Sequence, residues 1–289
     1  MIKFFSLIIY SFLSLINFLL KKIFKKNILV WIKFYIERDS YERVKLRSGK
    51  NLKFFVPNYL TNLLVKEFYL KEPETIHWID NFDKTKNITF WDIGSNIGLY
   101  SIYAASTIKD ISVVSFEPST SNLRILSRNI SINKLSEKIK IFQLPLGEKE
   151  NKFLNFYERK FNEGDSHNSI DENIDFEGKK IKKINSYNIF STNINKIIED
   201  EILDVPDYIK IDVDGIEHLI LKGGDKLLKN LKVSEIQIEI NENFKEQMNN
   251  VMKIMRENNF KFKEKKRNEK SGYYSNEKYS KFYNYYFTR

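Results

Sequence analysis

Residues 90–100, Phe-Trp-Asp-Ile-Gly-Ser-Asn-Ile-Gly-Leu-Tyr, carry an apolar run into a glycine turn and then directly into helix-forming sequence. A strand–turn–helix junction of this kind aims backbone N–H groups and a helix N-terminus at a polar or anionic ligand. Gly94 permits the tight turn, and Gly98 lets the helix lie close to the strand. A turn built for a pyrophosphate has glycine where Asn96 stands, because the phosphates must approach the backbone there. Asn96 fills that space, so the expected ligand has no pyrophosphate; a sulfonium nucleoside with an amino-acid tail fits, and hydride transfer from a dinucleotide is disfavoured.

A second apolar run, Val113-Val114-Ser115-Phe116, ends in Glu117-Pro118, with Glu117 placed 19 residues past Gly98. A carboxylate at the end of the next strand can accept both hydroxyls of a ribose. The third run, Pro206-Asp207-Tyr208-Ile209-Lys210-Ile211-Asp212-Val213-Asp214-Gly215-Ile216-Glu217, again ends in acids and a glycine. In an open α/β sheet ligands gather at the carboxyl ends of the strands, so Asp212 is expected to face the same crevice as Gly94 and Glu117. Its role is open among general base, substrate holder and partner of an amino group. Asp214 and Glu217 are read as acids that cap and charge a helix start.

These turns require strands to present them. Apolar runs predict strands at 88–93, 111–116, 139–144, 207–213, 234–240, about 259–264 and 281–287. Helical periodicity predicts helices near 97–108, 119–133, 193–202, 216–229 and 244–258. The alternation gives an α/β class: a doubly wound, mostly parallel, Rossmann-like sheet with an antiparallel C-terminal strand. Residues 150–190 break the pattern and read as a hairpin and a loop. Three segments are expected: 1–36, hydrophobic, basic and helical; 37–86, a preamble of hairpin (Tyr41–Leu46, turn at Ser48-Gly49, Asn51–Val56) and a helix from about Thr61; and 87–289, the catalytic block.

The net charge of +10 is uneven: +8 over residues 1–86, +6 over 261–289 and about −4 between them. Basic ends around an acidic middle point to an anionic surface as partner, not to an anionic substrate channel or a nucleic acid. Phe4–Leu20 is uncharged and is followed by Lys21, Lys22, Lys25 and Lys26. As a helix it covers about 25 Å, short of a bilayer core of about 30 Å. Lys3, Tyr10, Ser14, Asn17 and Lys21 form a narrow polar stripe, so an anchor lying in an anionic leaflet competes with a short span, and a helix packed on the enzyme is the non-membrane alternative. If the helix spans, the lysines place the remainder in the cytoplasm. The chain has no cysteine, which excludes disulfides, thiolate metal sites and a cysteine nucleophile. With three histidines besides, no metal ligands are assigned, although Asp212 and Asp214 leave room for Mg²⁺.

The segments WDIGSNIGLYS, FEPSTSNLRILSRNI and IKIDVDGIEHLILKGG, in this order and spacing, resemble the FkbM family of methyltransferases, as do Ile236–Ile240 and the ending Asn284-Tyr285-Tyr286-Phe287. The resemblance covers roughly residues 87–287. It implies S-adenosylmethionine as cofactor, with Asp92, Gly94, Ser95, Asn96 and Gly98 at the methionine end and Glu117, followed by Pro118, at the ribose. It also implies O-methylation, often of a sugar or another hydroxyl-bearing metabolite. Asp214 stands where glutamate is usual, and Tyr187–Ile194 matches only loosely. Methyl transfer needs an aligned oxygen nucleophile and a proton acceptor; Asp212 is the first choice for the latter, with Glu239 and His167 behind it. His167 lies in Gly164-Asp165-Ser166-His167-Asn168-Ser169, a polar stretch suited to a lid. His218 is expected at the surface, and His77, beside Trp78, in packing. No Asn-Pro-Pro-Tyr-like segment for exocyclic amines is present, which argues against a nucleic-acid methyltransferase. That activity and a membrane-associated binding module of the same fold without catalysis are the two alternatives.

Overall fold

The computed structural model describes residues 1–158, 160–166, 168–170, 185–269 and 280–289. In chain order the elements are α1 (Ile2–Phe24), α2 (Ile28–Asp39), β1 (Tyr41–Lys45), β2 (Asn51–Phe55), α3 (Tyr59–Lys66), α4 (Pro73–Asp80), β3 (Ile88–Ile93), α5 (Leu99–Thr107), β4 (Ile111–Phe116), α6 (Thr120–Ile132) and β5 (Ile139–Phe142). There follow β6 (Lys152–Glu158), β7 (Asn168–Ile170), β8 (Asn185–Ser191), α7 (Ile194–Glu199), β9 (Tyr208–Ile211), α8 (Glu217–Lys222), α9 (Asp225–Leu228), β10 (Glu235–Asn241), α10 (Lys245–Glu257), β11 (Lys261–Lys266) and β12 (Phe282–Thr288).

The main sheet has seven strands in the order β11-β12-β10-β9-β3-β4-β5. Pairings β10–β9, β9–β3, β3–β4 and β4–β5 are parallel, while β12 runs antiparallel to both of its neighbours. Chain order moves outward from β3 through β4 and β5 on one side, and through β9 and β10 on the other. The boundary between β3 and β9 is therefore the topological switch point, where crossovers on opposite faces leave a crevice at the carboxyl ends. This is the doubly wound sheet expected from the alternation.

Strand side chains sort by parity onto two cores, as the pleat requires. Ile88, Phe90, Ile111 and Val113 belong to one, with α5, α6 and the preamble; Trp91, Ile93, Val114 and Phe116 belong to the other, with α7 to α10. The preamble is thus part of a core. Its hairpin pairs Tyr41 with Phe55, and the fully buried Asn129 of α6 accepts from Phe55 N (2.8 Å) while donating to Ile97 O (3.0 Å). Phe82 stacks on Tyr208 at 3.8 Å, and Trp78 donates to Glu235 (2.8 Å) across to β10.

Several expectations are corrected. The helix foreseen over 216–229 is two short helices interrupted at Gly223-Gly224. Residues 73–80, given no element from sequence, form α4 with Pro73 in its first turn, where a missing N–H costs nothing. The irregular middle contains a three-stranded antiparallel sheet, β7-β6-β8. His218 is buried, 5% exposed, edge-on to Phe244, not at the surface. His77 is exposed and faces Asn81, and the packing is done by Trp78.

None of the residues of α1 is buried, and the helix is long and apolar enough to cross a membrane. Asn17 Oδ1, on its polar stripe, accepts from Ile28 N (2.8 Å) and so caps α2. Arg124 of α6 then bridges Glu37 of α2 (2.7 Å) and Glu163 (2.9 Å).

Candidate active site

Three carboxyl-end turns meet at the switch point. Beyond β3, Gly94 N and Ser95 N both donate to Phe116 O (3.0 Å each), which locks this turn to the end of β4. Gly94 has φ +85°, and a Cβ there would lie 1.9 Å from the Asp212 carbonyl oxygen. The turn can therefore touch the end of β9 only without a side chain. Gly98 (φ +86°) caps α5, and a Cβ on it would strike Leu126 Cδ1 at 2.5 Å. Asn96 also sits at positive φ (+49°), a conformation asparagine tolerates better than most residues.

Asp92 is fully buried beneath the turn and accepts from Ser101 Oγ (2.6 Å), which in turn receives a bond from Ser115 Oγ (2.7 Å). Burial raises its carboxyl above the ordinary range, with Lys210 opposing. Asp92 and Gly98 shape the turn from below, and neither lines the crevice.

Two backbone donors hold Glu117, with the Asn122 side chain beside them. One oxygen accepts from Asn96 N (2.8 Å), the other from Ser119 N (2.8 Å). Burial pushes its carboxyl up to about 8 despite those donors. With Pro118 it lines an apolar pocket walled by Ile93, Phe116, Leu144, Leu146, Phe156 and Ile170. Each carboxyl oxygen has two lone-pair directions, so capacity remains for ligand hydroxyls, as acceptor and, while the group is protonated, as O–H donor.

A second pocket opens on the other side of the turn, lined by Ser95, Asn96, Tyr100, Lys210, Asp212 and Glu239 together with Lys71 and Glu72. Gly94, Asn96, Ser166, Asp212 and Asp214 line both pockets, so they form one crevice. Lys210, almost fully buried, donates to Asp212 Oδ2 (2.7 Å) and lies 5.1 Å from the Tyr100 ring centre. Burial alone would raise Asp212; Lys210 and Lys71 outweigh it and hold the group below the ordinary carboxylate range. Glu239 is raised well above its ordinary value by burial and by the charges of Asp212 and Glu72, so it is the protonated member of the pair. Asp214 (φ +60°) is likewise raised well above the usual range by burial and by Asp212 and Glu217. Glu217 accepts from Val213 N and Gly215 N, so it braces the turn before α8; that helix has no side-chain cap, and the capping role expected for Glu217 is not seen.

Asn96 Nδ2 donates to Gly164 O (3.3 Å) and Asp165 O (3.4 Å), so the 160–166 segment lies over the turn. His167 lies outside the described residues. The structure thus brings together Gly94, Ser95, Asn96, Glu117, Pro118, Asp212 and Glu239. Sequence reasoning missed Lys71, Glu72 and Lys210. Lys210 had a signal, a charge between two isoleucines of a buried strand; Lys71 and Glu72 had none, since they precede the periodic region.

The site is a crevice of a doubly wound α/β protein, apolar on the Glu117 side and densely charged on the Asp212 side. Residues 92–262 match the family model described as the methyltransferase FkbM domain, more than half of the chain, and the chain belongs to that family. Methyltransferase sdnD of Sordaria araneosa is 31% identical over 88 residues, which are 30% of this chain and 34% of that protein, so the chain spans about a third of that curated relative's length. Among solved structures, methyltransferase FkbM from Methylobacillus flagellatus KT is 18% identical, with 61% of this chain and 39% of that chain covered and a TM-score of 0.41. M. capricolum TrmK, solved in complex with the cofactor product S-adenosylhomocysteine, is 13% identical, with 74% of this chain and 67% of that chain covered and a TM-score of 0.42.

S-adenosylmethionine is the cofactor of this family, and the residues present fit it. The apolar pocket suits an adenine ring, Glu117 suits ribose hydroxyls, and the Asn96 amide oxygen is buried with no hydrogen-bond partner at the turn where a charged tail would need one.

Proposed function

We propose that the protein transfers a methyl group from S-adenosylmethionine to a hydroxyl oxygen of a sugar or glycan, lipid-linked or otherwise held near a membrane. The observation that carries this reading is the single crevice at the switch point, in which Glu117 and Asp212 stand on opposite sides of the Gly94 turn. The cofactor contributes an electrophilic methyl on a sulfonium, with a thioether as leaving group. The chain's own residues then have three tasks.

Glu117 and the apolar wall fix the nucleoside, which turns alignment of the reacting atoms into a consequence of binding. Asp212 accepts the proton that the acceptor hydroxyl sheds. A carboxylate held below its ordinary range is a weak base, but an alcohol oxygen becomes strongly acidic once it bonds to the methyl carbon, so a weak base in hydrogen-bond reach suffices. Neutral Glu239 beside it supports the ionised state of Asp212 by hydrogen bonding and avoids a second buried charge. The 160–166 segment limits the access of water.

Membrane attachment through residues 1–36 is supported by the unburied apolar surface of α1 and by the Lys21–Lys26 cluster, which suits an anionic leaflet on the cytoplasmic side. The test is mass spectrometry of envelope glycans from cells with and without the protein. A species heavier by one methylene unit that vanishes with the protein is expected. Identical glycan profiles, combined with no labelled methyl transferred to purified envelope material, would overturn the assignment.

A further inference from the structure

The second pocket holds more charge than proton transfer requires. Glu72 is fully buried and Lys210 nearly so, while Lys71 and Asp212 keep only 23% and 20% of their side chains exposed. Lys71 Nζ faces Glu72 Oε1 at 3.3 Å, and Lys210 Nζ is 2.7 Å from Asp212 Oδ2. One oxygen each of Glu72, Asp212 and Glu239 fall within 4.8 Å of one another. Thr75 bonds the other oxygen of Glu72 (3.1 Å) and so aims the carboxylate, while Oε1 has the Lys71 ammonium beside it but no well-aligned hydrogen bond. The Asn96 amide oxygen, in the same wall, accepts none either.

Burying charge is unfavourable unless partners of opposite sign are provided. A neutral ligand would leave both signs desolvated. A lone cation would meet two ammonium groups, and a lone anion three carboxyl groups. A ligand that carries both signs a few ångströms apart meets Lys71 and Glu72 together, and an α-amino acid group is such a ligand. The pocket joins the apolar one at Gly94, Asn96 and Asp212, so the zwitterion would be the end of a molecule whose other end is apolar.

We propose that Lys71 and Glu72, which lie outside the family match, clamp the amino-acid tail of the S-adenosyl ligand: Glu72 with the Asn96 amide oxygen takes the ammonium, and Lys71 takes the carboxylate. This rests on the cofactor reading above and extends it to the 37–86 segment, which then belongs to the binding site.

Calorimetry of the full chain in detergent micelles tests it with two ligands, S-adenosylhomocysteine and 5′-deoxy-5′-methylthioadenosine, the same thioether nucleoside without the tail. Lys71→Met and Glu72→Gln should each weaken S-adenosylhomocysteine by about 10- to 100-fold, as expected for a lost hydrogen bond to a charged group. Both should leave methylthioadenosine within about two-fold, which also certifies that the variant is folded. If Lys71→Met does not fold, Glu72→Gln carries the test alone. Equal losses for both ligands, or no loss for either, would overturn the clamp while keeping the cofactor. Wild-type protein that binds neither ligand would remove the cofactor reading and the clamp with it. Mn²⁺ that binds the ligand-free wild type and not Glu72→Gln would give the carboxylates to a cation and likewise overturn the clamp.

Discussion

Gly94→Ala tests whether the crevice depends on contact between the ends of β3 and β9. A Cβ there falls 1.9 Å from the Asp212 carbonyl oxygen, 2.8 Å from its carbon and 3.1 Å from Val213 Cγ1. Carbon–oxygen contacts settle at about 3.3 Å or more, so the end of β9 must retreat by about 1.4 Å. That end is itself held by Asp212 N donating to Ile93 O at 3.0 Å, so the retreat breaks a bond. Overpacking of this kind costs about 1–3 kcal/mol. The left-handed backbone at φ +85° adds about 1–2 kcal/mol for a residue with a Cβ. Urea unfolding should therefore show a loss of about 2–5 kcal/mol. Turnover in the surviving folded protein should drop by about 100-fold, because Asp212 is displaced by more than an ångström. Gly147→Ala is the control, since nothing lies within 4 Å of its Cβ; it should be neutral or stabilising by about 0.4–1 kcal/mol. Gly94→Ala matching the parent in stability within about 0.5 kcal/mol, with unchanged affinity for S-adenosylhomocysteine, would refute the contact and the crevice built on it.

Glu117→Ala should weaken S-adenosylhomocysteine by about 1–3 kcal/mol in calorimetry, and an unchanged constant would remove the ribose assignment. Because burial raises Glu117 to about 8 in the folded chain, its contribution to stability is present below the unfolded carboxyl value and fades as pH rises through about 8. The melting temperature of the ligand-free protein should accordingly fall between about pH 5 and 8 and level off above that, with a shallower fall in Glu117→Gln; curves that stay parallel contradict the buried neutral carboxyl. Asp212→Asn should lower kcat by about 100-fold or more with cofactor affinity within a few-fold, whereas equal losses would make Asp212 a binding group. Deleting residues 1–36 should abolish sedimentation with phosphatidylglycerol vesicles and leave a cooperative thermal transition; aggregation of the truncated chain beside a detergent-free soluble parent would make α1 a packing helix.

Much of the sheet was legible because strand periodicity and turn chemistry are local. β3 and β4 fall on the expected residues, and α6 and α10 within a residue of theirs. The crevice around Gly94, Glu117 and Asp212 was legible because the doubly wound order forces three carboxyl ends to adjoin. What stayed hidden depends on tertiary contact. α4 is short, and its burial is decided by β10 and β12, through Gln237 bonding Thr75 (2.7 Å) and Asn284 bonding Glu74 (3.1 Å). His218 reads as a helix surface residue until α10 and Phe244 cover it. Lys71 and Glu72 become site residues only because the preamble folds back over the sheet's carboxyl edge, a placement with no local signature.

Arg124 joins Glu37 of the N-terminal helix pair to Glu163 of the segment above the crevice, with 44% of its own side chain and 25% of each partner's open to solvent. Pairs this exposed hold by about 1 kcal/mol or less, close to thermal energy, and physiological salt weakens them further. The two helices are therefore a leash, not a rigid mount. Under the proposed membrane attachment, so weak a tie would let the enzyme body pivot on its two helices without unseating them.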